Sequence, residues 1–190
     1  MVEVLRLVTE DQLKRIWALI HDAYVKAGYA KPQPNGMLRH YPNMDFIPET
    51  FAYGAFENEI LMGTVSLTID GPKGLSVDIE FKDLIDKIRA ENPDKKIAAL
   101  WRLTTTPNFN RSLSVLMAMI DQLHTTLVQE KVELILFVVN PKHEHFYQRV
   151  FGLKTISQVR QEQAVEAAPE LLLFGDIKTL VDHWNEFKDR

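Results

Sequence analysis

The 190-residue chain contains no cysteine. That removes disulfides, thiolate nucleophiles and cysteine-based metal sites from its chemistry. No apolar run approaches the roughly 20 residues that a helix needs to cross a bilayer. The opening MVEVLRLVTED also lacks the apolar stretch and small-residue cleavage site of a secretory leader. Positive charge is in deficit: 22 Lys and Arg against 26 Asp and Glu give a formal net charge of -4. A broad basic face for nucleic acid is therefore not expected. Internal repeats, low-complexity tracts, domain linkers and a G-x-S-x-G nucleophile elbow are all missing as well. What remains is ordinary for a soluble protein, with 46% hydrophobic and 25% charged residues. Residues 1–190 are expected to form one domain, a cytoplasmic enzyme or binding protein.

The hydrophobic periods predict mixed α/β (α+β) structure, one central sheet flanked by helices. Val2 to Val8 reads as a strand, and Thr9 caps a helix whose apolar face is Leu13, Ile16, Trp17, Ile20 and Tyr24. Pro32, Pro34, Gly36, Pro42 and Pro48 interrupt the segment from Gly28 to Pro48, a long loop of the kind that often carries function. Strands over Phe51–Phe56 and Ile60–Ile69 form a hairpin; Thr64, Ser66 and Thr68 alternate with apolar neighbours and predict a wetter face. Phe81 to Ala90 is a helix, Ile97 to Thr105 a strand, and Asn110 or Ser112 caps a helix with Leu113, Leu116, Met117, Ile120, Leu123 and Leu127 on one face. A buried strand over Val132–Val139, a helix begun by Pro141 and ended by Gly152, a strand over Thr155–Arg160, a strand over Glu170–Phe174 and a tail helix with Leu180, Trp184 and Phe187 complete the chain. The strands starting at Ile97 and Val132 should be adjacent and parallel.

His143-Glu144-His145 invites a metal reading. Helical residues two apart point about 200° apart, so both imidazoles cannot reach one ion, and no metal is expected.

The most informative block is Asn140-Pro141-Lys142-His143-Glu144-His145-Phe146-Tyr147-Gln148-Arg149-Val150-Phe151-Gly152-Leu153. The order of buried strand, Asn, helix with Phe-Tyr, then Gly resembles the acyl-donor half of GNAT-type acyltransferases. It is most similar to the N-acyl amino acid synthases, relatives of the acyl-homoserine lactone synthases. Gly63-Thr64-Val65-Ser66-Leu67, Gly74-Leu75-Ser76-Val77-Asp78 and Arg102-Leu103 follow that family's order and spacing, from about Gly63 to Ile156. The resemblance implies a GNAT-like fold, its two parallel strands splayed near Thr104 and Asn140 to admit the donor, that moves an acyl group from a thioester to an amino-acid amine. Acyl carrier protein would be the partner and the small-molecule amine the acceptor.

The family's functional positions map unevenly. Tyr147 stands where a general acid protonates the leaving thiolate; a packing tyrosine is the other reading. Asn140 either bonds pantetheine amides or caps the next helix. Leu103, Thr104 and Thr105 would hold the donor arm through their backbone. Arg102 either binds a carboxylate or phosphate or forms a buried ion pair, and Trp101 either packs or narrows the acyl tunnel. Tyr24, Tyr29, Tyr41 and Phe46 are candidate pocket aromatics. Ala99 occupies the place of the family's Glu, which is thought to help deprotonate the amine, and Ser66 that of an Arg. Glu57, Glu59 and Asp78 are then the displaced candidates for a base. Between Thr105 and Leu113 there is no glycine, whereas CoA-binding loops use glycines to bring backbone N–H groups onto the pyrophosphate. Carrier-bound phosphopantetheine is thus expected over acyl-CoA. The alternatives are a non-catalytic protein that binds an acyl chain or a protein partner, and an acetyl-CoA-dependent N-acetyltransferase.

Overall fold

Thr9 separates the first strand, β1 (Glu3–Leu7), from the first helix, α1 (Glu10–Ala27). Its hydroxyl accepts from the Gln12 backbone N–H at 3.3 Å while the Gln12 side chain accepts from the Thr9 N–H at 3.1 Å, so two of the helix's orphan donors are satisfied reciprocally. The computed structural model describes residues 1–106, 109–161 and 168–189, with side chains undescribed at 109–112 and 161. After α1 the chain runs irregularly to residue 49 apart from a 3-10 turn at Pro42–Met44. Strands β2 (Thr50–Glu57) and β3 (Ile60–Ile69) are joined by Asn58 and Glu59. Both have positive φ (49° and 65°), the backbone that matches a tight hairpin to strand twist.

Helix α2 (Asp78–Glu91), strand β4 (Ile97–Thr105), helix α3 (Phe109–Gln129) and strand β5 (Leu134–Val139) follow. A 3-10 turn at Pro141–His143 leads into α4 (Glu144–Phe151). Gly152 closes it at φ 66°, where a Cβ would come within 2.6 Å of the His183 ring. Two-residue strands β6 (Lys154–Thr155) and β7 (Arg160–Gln161), strand β8 (Pro169–Asp176) and helix α5 (Ile177–Lys188) end the chain.

The sheet order is β1-β2-β3-β4-β5-β8-β6, with β7 paired to β8 off this path. Every pairing is antiparallel except β4 with β5, which is parallel, as the strand–helix–strand pattern predicts. This is the mixed, helix-flanked sheet expected. One face packs on α3, α4 and α5 through Leu67, Leu100, Phe137, Leu173 and Trp184. The other packs on α2 through Ala99, Leu136 and Leu172, and on α1 through Ala52 and Phe56. No helix among the described residues is long and apolar enough to cross a membrane.

The structure corrects four local expectations. The strand over Thr155–Arg160 is two separate two-residue strands. Helix α3 already includes Asn110 and Ser112, so neither precedes it as a cap; Pro107 and Asn108 lie outside the described residues. Leu113 is exposed at the start of its helix instead of joining the core. Thr64, Ser66 and Thr68 are fully buried, because α1 and the loop over residues 28–48 cover that face of the sheet. Each hydroxyl is bonded internally: Thr64 donates to the Tyr53 carbonyl at 2.9 Å, Ser66 accepts from Arg102 and Thr68 accepts from Trp101. Polarity at alternate positions here means a buried network, not solvent.

Candidate functional site

A bulge builds the site. Trp101 pairs with Ser66 and Thr104 with Thr64, so Arg102 and Leu103 together oppose the single residue Val65. Arg102 takes φ 56° to do so. The β4–β5 ladder stops at Leu100–Phe137, although the strands run on to Thr105 and Val139. The splay therefore starts earlier than expected from Thr104 and Asn140. The bulge also breaks the alternation that would place Arg102 beside Leu100 and Thr104. Its guanidinium donates to Ser66 Oγ from Nε (3.0 Å) and Nη2 (2.8 Å), and to Asp45 Oδ1 from Nη1 (2.6 Å). It lies 3.9 Å over the Trp101 ring. Asp45 also accepts from Trp17 Nε1 at 3.1 Å. Desolvation lowers the Arg102 pKa and the Asp45 carboxylate opposes that; an arginine keeps its charge regardless. Of the two readings of Arg102, the structure holds the buried ion pair.

Beyond the end of the ladder lies a cavity of about 980 Å³, at the upper end of the usual range for small-molecule sites. Trp101, Arg102, Leu103, Thr104, Thr105, Asn140 and Tyr147, separated by up to 46 positions, all line it. It spans the splay and has two unlike halves. On the α3–α4 side the walls are Leu113, Leu116, Phe137, Phe146, Tyr147 and Phe187; on the α1–α2 side they include His40, Tyr41, Trp101 and Glu170.

Tyr147 is wedged between Phe137 (centroids 4.8 Å apart, edge-on) and Phe151 (5.7 Å, stacked). Desolvation raises its pKa, so the hydroxyl stays protonated at neutral pH and is available as a donor. His40 stacks on Tyr41 at 4.5 Å and meets Tyr24 and Trp101 edge-on. Burial, with Arg102 nearby, lowers its pKa to about 3, leaving a neutral imidazole at neutral pH. Tyr41 donates its hydroxyl to the buried Glu80 in α2 at 3.3 Å.

Asn140 caps the 3-10 turn through Oδ1, which accepts from the Lys142 N–H at 3.1 Å, and donates through Nδ2 to the Tyr29 hydroxyl at 2.9 Å. Lys142 Nζ reaches the same hydroxyl at 3.2 Å. The chain just past α1 is thereby tied across the cleft to the turn after β5.

Some expectations fall elsewhere. Ala99 is fully buried in the apolar cluster with Val77, Phe81, Ile85 and Leu136, beneath α2, and is absent from the cavity wall. Glu57 ends β2 and Glu59 lies in the β2–β3 turn, and Asp78 is bound to Arg89 at 2.7 Å and to the Leu75 N–H; none of the three lines the cavity. Tyr24, Tyr29 and Tyr41 do line it, while Phe46 is exposed under Arg39. His143 reaches the wall and has its pKa lowered by desolvation and Lys142. Among the described residues no group of three or more His, Cys, Asp or Glu is placed to hold a metal. Sequence reading missed His40, Asp45 and Glu170. The signal for Glu170 was present: one carboxylate heads the otherwise apolar run Leu171-Leu172-Leu173-Phe174. Asp45 lacked any such signal, since its partners Trp17 and Arg102 are 28 and 57 positions away.

Comparison with known proteins agrees with this geometry. The family described as N-acyl amino acid synthase FeeM matches residues 15–176. The solved structure of FeeM, an N-acyl amino acid synthase from uncultured soil microbes, is 20% identical with a TM-score of 0.79, over 96% of this chain and 94% of that one. The CoA-dependent acyl-homoserine lactone synthase BjaI is 14% identical with a TM-score of 0.64, over 98% and 88%. Escherichia coli ElaA is 13% identical with a TM-score of 0.62, over 92% and 99%. No curated protein sequence matches the chain. The structural likenesses establish a GNAT-like fold, and the family match spans most of the sequence: the chain belongs to the FeeM family of N-acyl amino acid synthases.

Proposed function

We propose that this chain, acting as one cytoplasmic domain over residues 1–190, transfers an acyl group from a thioester to the amine of an amino-acid-like acceptor. The thioester is carried by the phosphopantetheine of an acyl carrier protein in preference to CoA. The observation that carries the reading is the cavity opened by the strand splay, apolar on one side of the sheet and polar on the other. An acyl chain suits the Leu116, Phe137 and Phe146 side; a charged amine suits the side with Glu170 and His40. The donor arm lies along the edge of β4 released by the splay, where the backbone of Leu103, Thr104 and Thr105 offers hydrogen bonds, and beside Asn140. Tyr147, kept protonated by its apolar surroundings, gives its proton to the departing thiolate. Trp101 walls the acceptor end and Arg102 holds that wall in place through Asp45 and Ser66.

The lack of glycine between Thr105 and Leu113 supports the carrier-protein donor, because side chains obstruct the close approach that a CoA pyrophosphate needs. BjaI is itself CoA-dependent, so the test sets the two donors against each other. Purified protein is offered matched acyl-carrier-protein and acyl-CoA thioesters with a mixture of amino acids, and N-acyl products are read by mass spectrometry. Product from the carrier protein, with CoA binding weaker than micromolar by calorimetry, is expected. Tight CoA binding and faster turnover of acyl-CoA overturn the donor assignment. A non-catalytic acyl- or partner-binding role is favoured by one observation, the apolar burial of Ala99 where the family has Glu. Co-purifying acyl chains with no product from any donor would establish it.

A further inference from the structure

The amine that enters such a site at neutral pH is mostly an ammonium ion, and it must lose a proton to attack a carbonyl. Ala99 cannot take it. Among the described residues two carboxylates line the cavity, Asp22 and Glu170. Asp22 is a surface group, its side chain 81% exposed and beside His21. Glu170 is 4% exposed.

The register places Glu170 where the reaction would occur. Val139 pairs with Leu171, so Glu170 stands at the level of Asn140, just past the end of β5 where the splay is open. Side chains alternate along β8: Leu171 and Leu173 belong to the α3–α4 face, Leu172 to the α2 face, which puts Glu170 with Leu172. That is the face of Ala99 and Trp101, the polar half of the cavity. Beyond Leu100–Phe137, β4 is no longer paired with β5, so an opening separates Glu170 from the released edge of β4. Glu170 and residues Leu103 to Thr105 of β4 line this one opening, which is where an acceptor amine would meet the donor arm.

We propose, resting on the transferase reading above, that Glu170 is the catalytic residue that receives the acceptor amine. It carries out from β8 the proton transfer that the family's glutamate carries out from β4. The ammonium gives one proton to the Glu170 carboxylate. The freed nitrogen lone pair forms the bond to the thioester carbonyl carbon. The C–S bond then breaks, its electron pair leaves with sulfur, and the thiolate takes the Tyr147 proton. Tyr147 is restored by the second proton lost from nitrogen, and Glu170 releases its proton to solvent. One proton is released net per amide formed.

The test compares wild type with Glu170→Gln and Glu170→Asp, using acyl carrier protein loaded with a long-chain acyl group and an amino acid mixture as probes, from pH 6 to 10. Glu170→Gln is expected to lose about 10²–10⁴ in kcat/KM at pH 7, with donor binding and thermal unfolding unchanged. The deficit should shrink toward pH 10, where the amine is free without help. Glu170→Asp keeps the carboxylate, and should keep the wild-type shape of the pH profile at a lower rate. Should Glu170→Gln fail to fold, Glu170→Ala with added formate or acetate decides: recovery of turnover by the small carboxylate supports the assignment, and a folded variant that neither carboxylate rescues overturns it. Wild-type turnover and profile in Glu170→Gln overturn this assignment while leaving the transferase reading intact. A wild-type protein inert to every donor and amine overturns both.

Discussion

Removing the carboxylate of Asp45 tests whether the site's architecture rests on the ion pair beneath it. The side chains of Asp45 and Arg102 are both 0% exposed, with Nη1 and Oδ1 2.6 Å apart. Asp45→Asn preserves volume and an acceptor for Trp17 Nε1 but leaves the guanidinium uncompensated in a dry environment. Breaking a buried pair on one side costs about 3–5 kcal/mol. Arg39, 3.6 Å from Asp45 and 42% exposed, adds little, because solvent screens such contacts. For a chain of this length each kcal/mol moves Tm by about 2–4 °C, so thermal unfolding followed by circular dichroism should fall by about 6–20 °C. Asp11→Asn, which removes the exposed contact with Lys14, serves as the control and should leave Tm nearly unchanged, because solvent screens such a pair. The double variant Asp45→Asn with Arg102→Met removes both charges, and should cost at least about 2 kcal/mol less than the sum of the singles. A drop below about 2 °C for Asp45→Asn, or strict additivity in the double variant, would refute the idea that this pair anchors the loop.

Tyr147→Phe keeps the ring between Phe137 and Phe151 and should cut turnover by about 10²–10⁴, with donor binding and melting unchanged; near-normal turnover would mean that the hydroxyl only packs. Ala99→Glu forces a carboxylate into the cluster beneath α2. It should destabilise the protein by several kcal/mol in a urea melt without adding product; a stable, more active variant would contradict that placement. His40 titrates near pH 3 in the fold against an ordinary 6.5, so between those values the unfolded chain binds more protons. Stability from this group is full above about pH 6.5 and declines as pH falls, by up to about 1.4 kcal/mol per unit. Urea melts at pH 7 and 4.5 should therefore differ by about 2–3 kcal/mol more in wild type than in His40→Phe, and equal differences would contradict the burial argument.

The elements were legible in the sequence because their signals are local. Thr9 and Gln12 announce a capping box, Gly152 a left-handed helix end, and the apolar run to Val139 a strand buried on both faces. The alignment of Asn140 and Tyr147 with a cleft was legible too, since both sit in one contiguous block. Long-range pairing was not. The alternation of Thr64, Ser66 and Thr68 correctly marks one face, but whether that face meets water depends on a loop whose anchor, Asp45, is fixed by Arg102. Likewise nothing local announces that Arg102 takes a left-handed backbone, the event that shifts the splay to Leu100 and turns the guanidinium inward. Glu170 escaped notice because a strand-end glutamate is usually solvated; only the sheet order β5-β8 brings it to the cleft.

The two halves of the cavity come from separate stretches of chain. His40 and Tyr41 lie in the irregular stretch between α1 and β2, whereas Leu116, Phe146, Tyr147 and Phe187 lie on three helices of the opposite face. Irregular chain tolerates insertion and substitution far more readily than packed helices. The two walls can therefore drift at different rates. Changes between Gly28 and Pro48 that respect Asp45 reshape the polar chamber alone, and changes in the helices lengthen or shorten the apolar one. Homologues of this chain should accordingly sort along two independent axes of variation, with the Asp45–Arg102 ion pair as the fixed point between them.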